Sequence, residues 1–191
     1  PGVYDIRIVT HSRPDPKIDP TRVNYFHGAL NCSLDLLYDI ESGDLLAIIH
    51  DGYLQKMRVQ ATNAIAARTM AKKNTRAMAL IGSGWQATAA IEAMRFVRPI
   101  ESVSVYSRGA ANRDSFVRRM RGVYKDLEIR DCDSAEQAVR GADMVVAATN
   151  AREAVCKGAW IEPGMHLTGV LPYEFDLDCY RRADRIVIFN R

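Results

Sequence analysis

The order of apolar and polar positions divides the chain into two parts with different patterns. From residue 58 onward, apolar runs of strand length alternate with segments in which apolar residues recur at helical spacing. The predicted helices are 57–73, 87–97, a segment ending at Gly122, and 134–141. The predicted strands lie directly before Gly82 and at 102–106, 127–130, 143–148, 166–171 and 185–189. Alternation of this kind predicts βαβ units and a doubly wound, parallel α/β sheet.

The first 57 residues have a different texture, with short apolar runs and turn residues. Runs at 30–38 and 45–49 flank a segment that contains Asp39 and Gly43, which predicts a β-hairpin. A further short run lies at 6–9, and the three prolines within 12–21 predict a loop. We therefore expect a β-rich unit over residues 1–57 and an α/β domain over residues 58–191.

A glycine motif stands between the first predicted strand of the α/β domain and the helix after it. Gly82, Gly84 and Ala87 form a G-x-G-x-x-A pattern. In this pattern the first glycine permits a tight turn, the second permits close approach of a pyrophosphate, and the third position lets helix and strand pack closely. The helix N-terminus then faces the phosphate. The motif and its setting predict a dinucleotide-binding domain of the Rossmann type.

The end of the second strand of such a domain meets the adenosine ribose of the cofactor. Here it reads Tyr106-Ser107-Arg108 without a carboxylate, and Arg113 lies one turn into the next helix. An acidic residue would bind a ribose 2′-OH, whereas arginine accommodates a 2′-phosphate. The pattern favours NADP over NAD, and the alternative is that Arg108 is a solvated turn residue.

The remaining expected cofactor contacts follow from the same geometry. Thr149 and Asn150 end the fourth strand and should line the crevice at the carboxyl ends of the strands, unless Asn150 simply forms a turn. The NAD(P)-binding residues predicted in this way are Gly82, Ser83, Gly84, Trp85, Ser107, Arg108, Arg113, Thr149 and Asn150.

Composition excludes several other classes of function. The chain has 26 basic and 23 acidic residues, a net charge of +3 that is too small to suggest a nucleic-acid partner. Its apolar runs are far shorter than a membrane span. The four histidines lack metal-ligand spacing, and the four dispersed cysteines indicate reduced thiols in a cytoplasmic protein. A start at Pro1, with no signal peptide, suggests a fragment or a processed product.

Four stretches together resemble one known family. Residues 54–62, 77–86, 141–149 and 160–166 are similar to the ornithine cyclodeaminase and mu-crystallin family, and the similarity extends through nearly all of the chain. The resemblance implies an NAD(P)-dependent oxidoreductase that acts on the α-carbon of a small amino or imino acid. It leaves two alternatives, an ornithine cyclodeaminase-type lyase with catalytic NAD and a non-catalytic, crystallin-like dinucleotide-binding relative. It also implies a homodimer formed through a substrate-binding domain, of which residues 1–57 would be part.

The resemblance also assigns candidate catalytic residues. Arg58 matches the arginine that binds the substrate carboxylate, a task for which a planar guanidinium is suited. Gln86 likewise matches the family's glutamine beside the dinucleotide and completes the expected NAD(P)-binding residues. Arg7 stands where the family usually has a lysine, and Leu171 stands near the aspartate of the cyclodeaminases. Arginine does not lose its proton in proteins, so Arg7 changes the acid–base chemistry available. Glu174 or Asp176 could replace that aspartate, although both are expected to open the next helical turn.

Overall fold

The computed structural model describes residues 2–8 and 33–188, which form two compact units. One unit extends to Lys56 and the other begins at Met57. The proline-containing loop expected at 12–21 lies outside the described residues. Among the described helices, none is both long enough and apolar enough to cross a membrane.

The first unit is built on an antiparallel sheet. Its strands are β1 (Val3–Ile8), β2 (Leu34–Asp39) and β3 (Leu45–His50), in the spatial order β1-β2-β3. The predicted hairpin is confirmed. Asp39 accepts hydrogen bonds from the backbone N–H groups of Glu41 and Ser42, which stabilises the turn.

Helix α1 (Asp51–Met70) follows β3 directly. The sequence predicted a start near residue 57, and the structure begins the helix six residues earlier. Asp51 lies in the first turn, where its negative charge complements the helix dipole, and its N–H donates to the Ser33 carbonyl. An alanine-rich pattern alone does not reveal this polar first turn.

The second unit contains the parallel sheet. Its strands are β4 (Ala77–Ile81), β5 (Ser102–Tyr106), β6 (Glu128–Asp131), β7 (Met144–Ala147) and β8 (His166–Gly169), and their spatial order is β6-β5-β4-β7-β8. The intervening helices are α2 (Trp85–Val97), α3 (Ala110–Val123) and α4 (Ala135–Val139). This order, with the central strand first in sequence, confirms the Rossmann-type α/β prediction.

Strand β4 shows why the sheet is covered on both faces. Met78 and Leu80 belong to the buried cluster that includes α2 and α3, whereas Ala79 and Ile81 belong to the cluster that includes α4. Successive side chains of a strand point to opposite faces, so a central parallel strand is apolar throughout. This burial fixes the carboxyl end of β4, where the glycine turn begins.

The last described segment differs from the sequence prediction. A 3₁₀ turn at Gly158–Trp160 and helix α5 (Leu177–Arg181) surround β8, and Asp176 caps α5 as expected. Glu174 does not open a helix, contrary to the expectation. The strand predicted at 185–189 is also wrong over its described residues 185–188, which form no strand and expose Ile186 and Val187. Their β-branched pattern favours a strand, but no described strand pairs with them.

Candidate functional site

The glycine turn lies at the carboxyl end of the central strand. Gly82 has φ +118°, a conformation that L side chains rarely adopt, and its N–H donates to the Tyr106 carbonyl at 2.8 Å. A Cβ on Gly82 would lie 2.2 Å from the carbonyl oxygen of Ala148. The turn therefore requires glycine here in order to pass between the ends of β5 and β7.

Gly84 serves a different purpose in the same turn. It is the N-cap of α2, no side chain caps that helix, and a Cβ on Gly84 would meet no described atom within 4 Å. An uncapped helix N-terminus presents N–H donors and a positive dipole end. Open space in front of these donors fits a dinucleotide pyrophosphate.

A chain of amides connects helix α1 to this turn. Gln60 is fully buried, and its Nε2 donates to Oε1 of Gln86 at 3.2 Å. Asn63 in turn donates from Nδ2 to Oε1 of Gln60 at 3.3 Å. The Gln86 side chain is thereby held in the first turn of α2, two residues beyond Gly84. Arg58, two residues before Gln60, is exposed and forms no ion pair with the residues the structure describes.

The turn after β5 contains two arginines in different environments. Arg108 is exposed and has no ion pair within the described part of the chain. Arg113 is buried, forms an ion pair with Asp131, and donates from Nη1 to the Ser107 carbonyl at 3.0 Å. Its guanidinium also lies 5.8 Å from the ring centroid of Tyr106. Arg113 thus stabilises the turn through the Ser107 carbonyl, while Arg108 is exposed to solvent.

Glu174 was expected from the sequence only as a possible replacement for the family aspartate or as the start of a helix, and the role of this residue on the other side of the crevice was missed. Glu174 is fully buried, and its carboxylate accepts hydrogen bonds from Thr149 after β7 and from Val170 and Leu171 after β8. The only local signal was an acidic residue between Tyr173 and Phe175. Its partners are up to 25 residues distant, so the sequence pattern does not reveal them.

The predicted cofactor residues thus converge on one edge. Adjacent strands β5, β4 and β7 end there, and parallel strands present their carboxyl ends at the same edge of the sheet. The residues that follow these three strands are Ser107 and Arg108, Gly82 to Gln86, and Thr149 and Asn150.

Arg7 belongs to the first unit and is engaged by carboxylates. Its Nε donates to Oδ2 of Asp51 at 2.7 Å and lies 3.9 Å from Oδ1 of Asp35. Both aspartates are buried. Burial, together with the nearby negative charge of Asp51, raises the pKa of Asp35. The cluster combines a permanent cation with a carboxyl group that resists ionisation.

The sequence profile of the ornithine cyclodeaminase/mu-crystallin family matches residues 30–178. The chain belongs to this family. Ketimine reductase mu-crystallin of Mus musculus is 26% identical to it over 166 residues, which are 84% of this chain and 51% of the relative. The chain spans about half the length of the curated relatives it matches.

Two solved structures share the fold of this family member. Δ1-pyrroline-2-carboxylate reductase of Thermococcus litoralis, in complex with NADH and L-proline, superposes with a TM-score of 0.75 at 29% identity. The match covers 87% of this chain and 49% of that one. An archaeal alanine dehydrogenase dimer with bound NAD gives a TM-score of 0.73 at 27% identity, covering 87% of this chain and 48% of its own.

Proposed function

We propose that the chain is part of an NAD(P)-dependent oxidoreductase that acts on the α-carbon of a small amino or imino acid. The N-terminus of α2 supports this proposal most directly, because no side chain caps it and the space beside its N-cap, Gly84, is open. The reductase and dehydrogenase described above bind NADH and NAD on the same fold, which supports a nicotinamide cofactor here.

Each cofactor residue receives a role from its position. The Gly82 to Gln86 turn, with Ser83 and Trp85, holds the pyrophosphate. Arg108 binds a ribose 2′-phosphate beside Ser107, so the cofactor is NADP in preference to NAD. Arg113 supports this subsite by fixing the Ser107 carbonyl, since its own charge is paired with Asp131. Thr149 and Asn150 line the crevice at the end of β7.

The substrate side of the proposal rests on two arginines. Arg58 is exposed and free of ion pairs with the described residues, which leaves both guanidinium edges available for a substrate carboxylate. Bound nicotinamide would supply the chemistry of hydride transfer. Arg7 contributes fixed positive charge and no proton, because its guanidinium remains charged and is held by Asp51. Residues 1–57 form a partial substrate domain in this scheme, and residues 58–191 form the cofactor domain.

One observation favours a second candidate, a dinucleotide-binding relative without turnover. Arg7 donates to Asp51, and an arginine does not release its proton in proteins. A cyclodeaminase reaction would need proton transfers that Arg7 is poorly suited to perform. The lyase alternative therefore has less support than either oxidoreduction or simple binding.

The assembly and location are also part of the proposal. Apolar side chains are exposed on the strands of the first unit, namely Val3, Ile6 and Ile8 of β1 and Leu45, Leu46 and Ile48 of β3. A patch of this composition suits a protein interface, and we propose a homodimer, testable by light scattering across a concentration series. The free, buried thiols of Cys132, Cys156 and Cys179 suit a cytoplasmic location.

A titration with NADPH and NADH, followed by protein fluorescence, tests the cofactor. We expect saturable binding of both and tighter binding of NADPH. Arg108→Gln should reduce affinity for NADPH about tenfold while NADH binding is retained, because a charge-assisted contact with phosphate is lost. Arg140→Gln is the matched control: it is exposed, pairs with Glu136, and follows α4 at the opposite edge of the sheet. Absence of saturable binding by either cofactor contradicts the proposal.

Turnover separates the two candidate functions. We expect oxidation of NADPH in the presence of a cyclic imino acid, and we expect Arg58→Gln to raise KM for that substrate about tenfold or more. The matched Arg68→Gln variant lies on the same helix, at its last turn, and should leave KM unchanged. Cofactor binding without turnover on any imino acid, or on keto acids with amine, identifies the binding-only alternative.

A further inference from the structure

Glu174 joins the ends of two parallel strands through a carboxylate that has no basic side chain as partner among the described residues. Oε1 accepts hydrogen bonds from the N–H and the hydroxyl of Thr149, at 2.7 and 2.8 Å. Oε2 accepts from the N–H groups of Val170 and Leu171, at 2.7 and 2.8 Å. Four donors therefore balance the buried negative charge, two from each strand end.

The position of Glu174 is itself closely determined. Its carbonyl oxygen accepts from the N–H groups of Val155 and Cys156, at 2.8 and 3.1 Å. A Cβ on Gly169 would lie 2.9 Å from Oε2, so the glycine at the end of β8 makes room for the carboxylate. Backbone and side chain together fix the residue in a site shaped to receive it.

The hydrogen bonds of Glu174 act at the edge where the cofactor is proposed to bind. Thr149 directly follows Ala148, whose carbonyl stands against the Gly82 turn. The ends of β7 and β8 lie on one side of central strand β4, and the Ser107–Arg108 turn lies on the other side. The adenosine end of the cofactor is proposed to bind beside Arg108, on one side of β4. The nicotinamide end therefore binds on the other side, beside the strand ends that Glu174 joins.

Resting on the proposed function, we propose that Glu174 is a positioning residue that sets the nicotinamide half of the cofactor site without touching the adenosine half. By holding Thr149, Val170 and Leu171 in place, it determines the shape of the crevice wall after β7 and β8. A residue that only stabilises the fold would affect both halves equally. A positioning residue affects one half.

The test compares NADPH with 2′,5′-ADP, which contains the adenosine half of the cofactor but lacks nicotinamide. In Glu174→Gln, an amide N–H₂ replaces one acceptor and faces two donors, which forces one strand end to move. Calorimetric titration should show NADPH affinity reduced about tenfold and 2′,5′-ADP affinity within about twofold of the unchanged chain. Equal loss for both ligands, or no loss for NADPH, overturns the inference.

Asp176→Asn is the matched control. Its carboxylate also accepts backbone N–H groups, from Gly158 and Cys179, but it caps α5. We expect both affinities to stay within about twofold of the unchanged chain. A loss of NADPH affinity equal to that of Glu174→Gln would contradict a role particular to Glu174.

A second pair of variants decides the question if Glu174→Gln does not fold. Thr149→Val removes the hydroxyl donor to Oε1, and Thr149→Ser retains it. Thr149→Val should reduce the affinity for NADPH about threefold and leave the affinity for 2′,5′-ADP unchanged. Thr149→Ser should have the NADPH affinity of the unchanged chain. Identical behaviour of the two variants overturns the inference. Failure of the unchanged chain to bind either ligand instead contradicts the proposed function, and the inference with it.

Discussion

The parallel sheet has an amino edge, where its strands begin, and a carboxyl edge, where its strands end. The polar groups at these two edges are used in opposite ways. At the amino edge, Arg98 donates hydrogen bonds to the carbonyls of Arg68, Ala71 and Lys72 at 2.7–2.9 Å, which caps the end of α1. Asp143 there accepts from the N–H groups of Arg76 and Ala77, at 2.8 and 3.0 Å. Both charges are satisfied by backbone groups, as the stability of helix and strand ends requires.

At the carboxyl edge, two polar features are left open. Arg108 is exposed without an ion pair among the described residues, and the N-cap of α2, Gly84, provides no side-chain hydrogen bond. Groups of the same chemical types thus complete the fold at one edge and remain available for a ligand at the other. Glu174 is an exception, since it lies at the carboxyl edge and is fully satisfied. Glu174 therefore positions the site and is not itself available to a ligand.

The largest expected effect comes from substituting the glycines at the carboxyl edge. Gly82→Ala forces a side chain into positive φ and to within 2.2 Å of the Ala148 carbonyl, so we expect a loss of about 4 kcal/mol in the free energy of unfolding. Gly84→Ala meets open space and should change that free energy by less than about 0.5 kcal/mol, yet weaken NADPH binding about tenfold. Urea unfolding and fluorescence titration measure the two quantities. Equal stability losses would contradict the separate roles of the two glycines.

The second prediction compares the substitution of one arginine at each edge. Arg98→Met removes the donors to the end of α1 and should lower the free energy of unfolding by about 3 kcal/mol, because a buried guanidinium serves several carbonyls at once. Affinity for NADPH should change less than twofold. Arg108→Gln should show the reverse, with unchanged stability and reduced affinity. If Arg98→Met weakens cofactor binding as much as Arg108→Gln does, the division between the edges is wrong.

How far the sequence predicted these features depends on the range of the interactions involved. Strand Ser102–Tyr106, the hairpin turn at Asp39 and the cap at Asp176 were all predictable, because strand periodicity and turn chemistry are local signals. The glycine turn was predictable too, since its motif is contiguous. The early start of α1 was missed because alanine content marks the middle of a helix better than its first turn.

The other missed features depend on partners that are distant in the sequence. Glu174 acquires the two donors of Thr149, 25 residues away, only when β7 and β8 come side by side. The ion pair of Arg113 with Asp131 likewise forms only when α3 packs beside β6. Residues 185–188 have the composition of a strand, but they pair with no described strand, and composition does not encode pairing. Long-range hydrogen bonding therefore limits what the sequence predicts of the crevice wall.

The smallest predicted effect sharpens the comparison through pH. His166, the first residue of β8, is buried, and its Nε2 has no hydrogen-bond partner among the described residues. Burial, with the positive charge of Arg98 as a second cause, lowers the pKa of His166 from 6.5 to about 4. The folded state therefore excludes a proton that the unfolded state binds, and stability is lost as pH falls from 6.5 toward 4. Between pH 7.5 and pH 5 this histidine should account for about 2 kcal/mol of that loss.

His166→Leu removes the titrating group while leaving an apolar side chain of similar size. Urea unfolding at pH 7.5 and pH 5 should show a smaller loss of stability on acidification in His166→Leu than in the unchanged chain. His50→Leu, on β3 of the other unit, is the comparison that separates the effect of His166 from the loss of any one imidazole. NADPH affinity at pH 7.5 should be unaffected by His166→Leu, since the residue lies at the amino edge. An unchanged pH dependence would mean that the amino edge accommodates the charged imidazole, and that Arg98 is less confined to its capping role than its hydrogen bonds indicate.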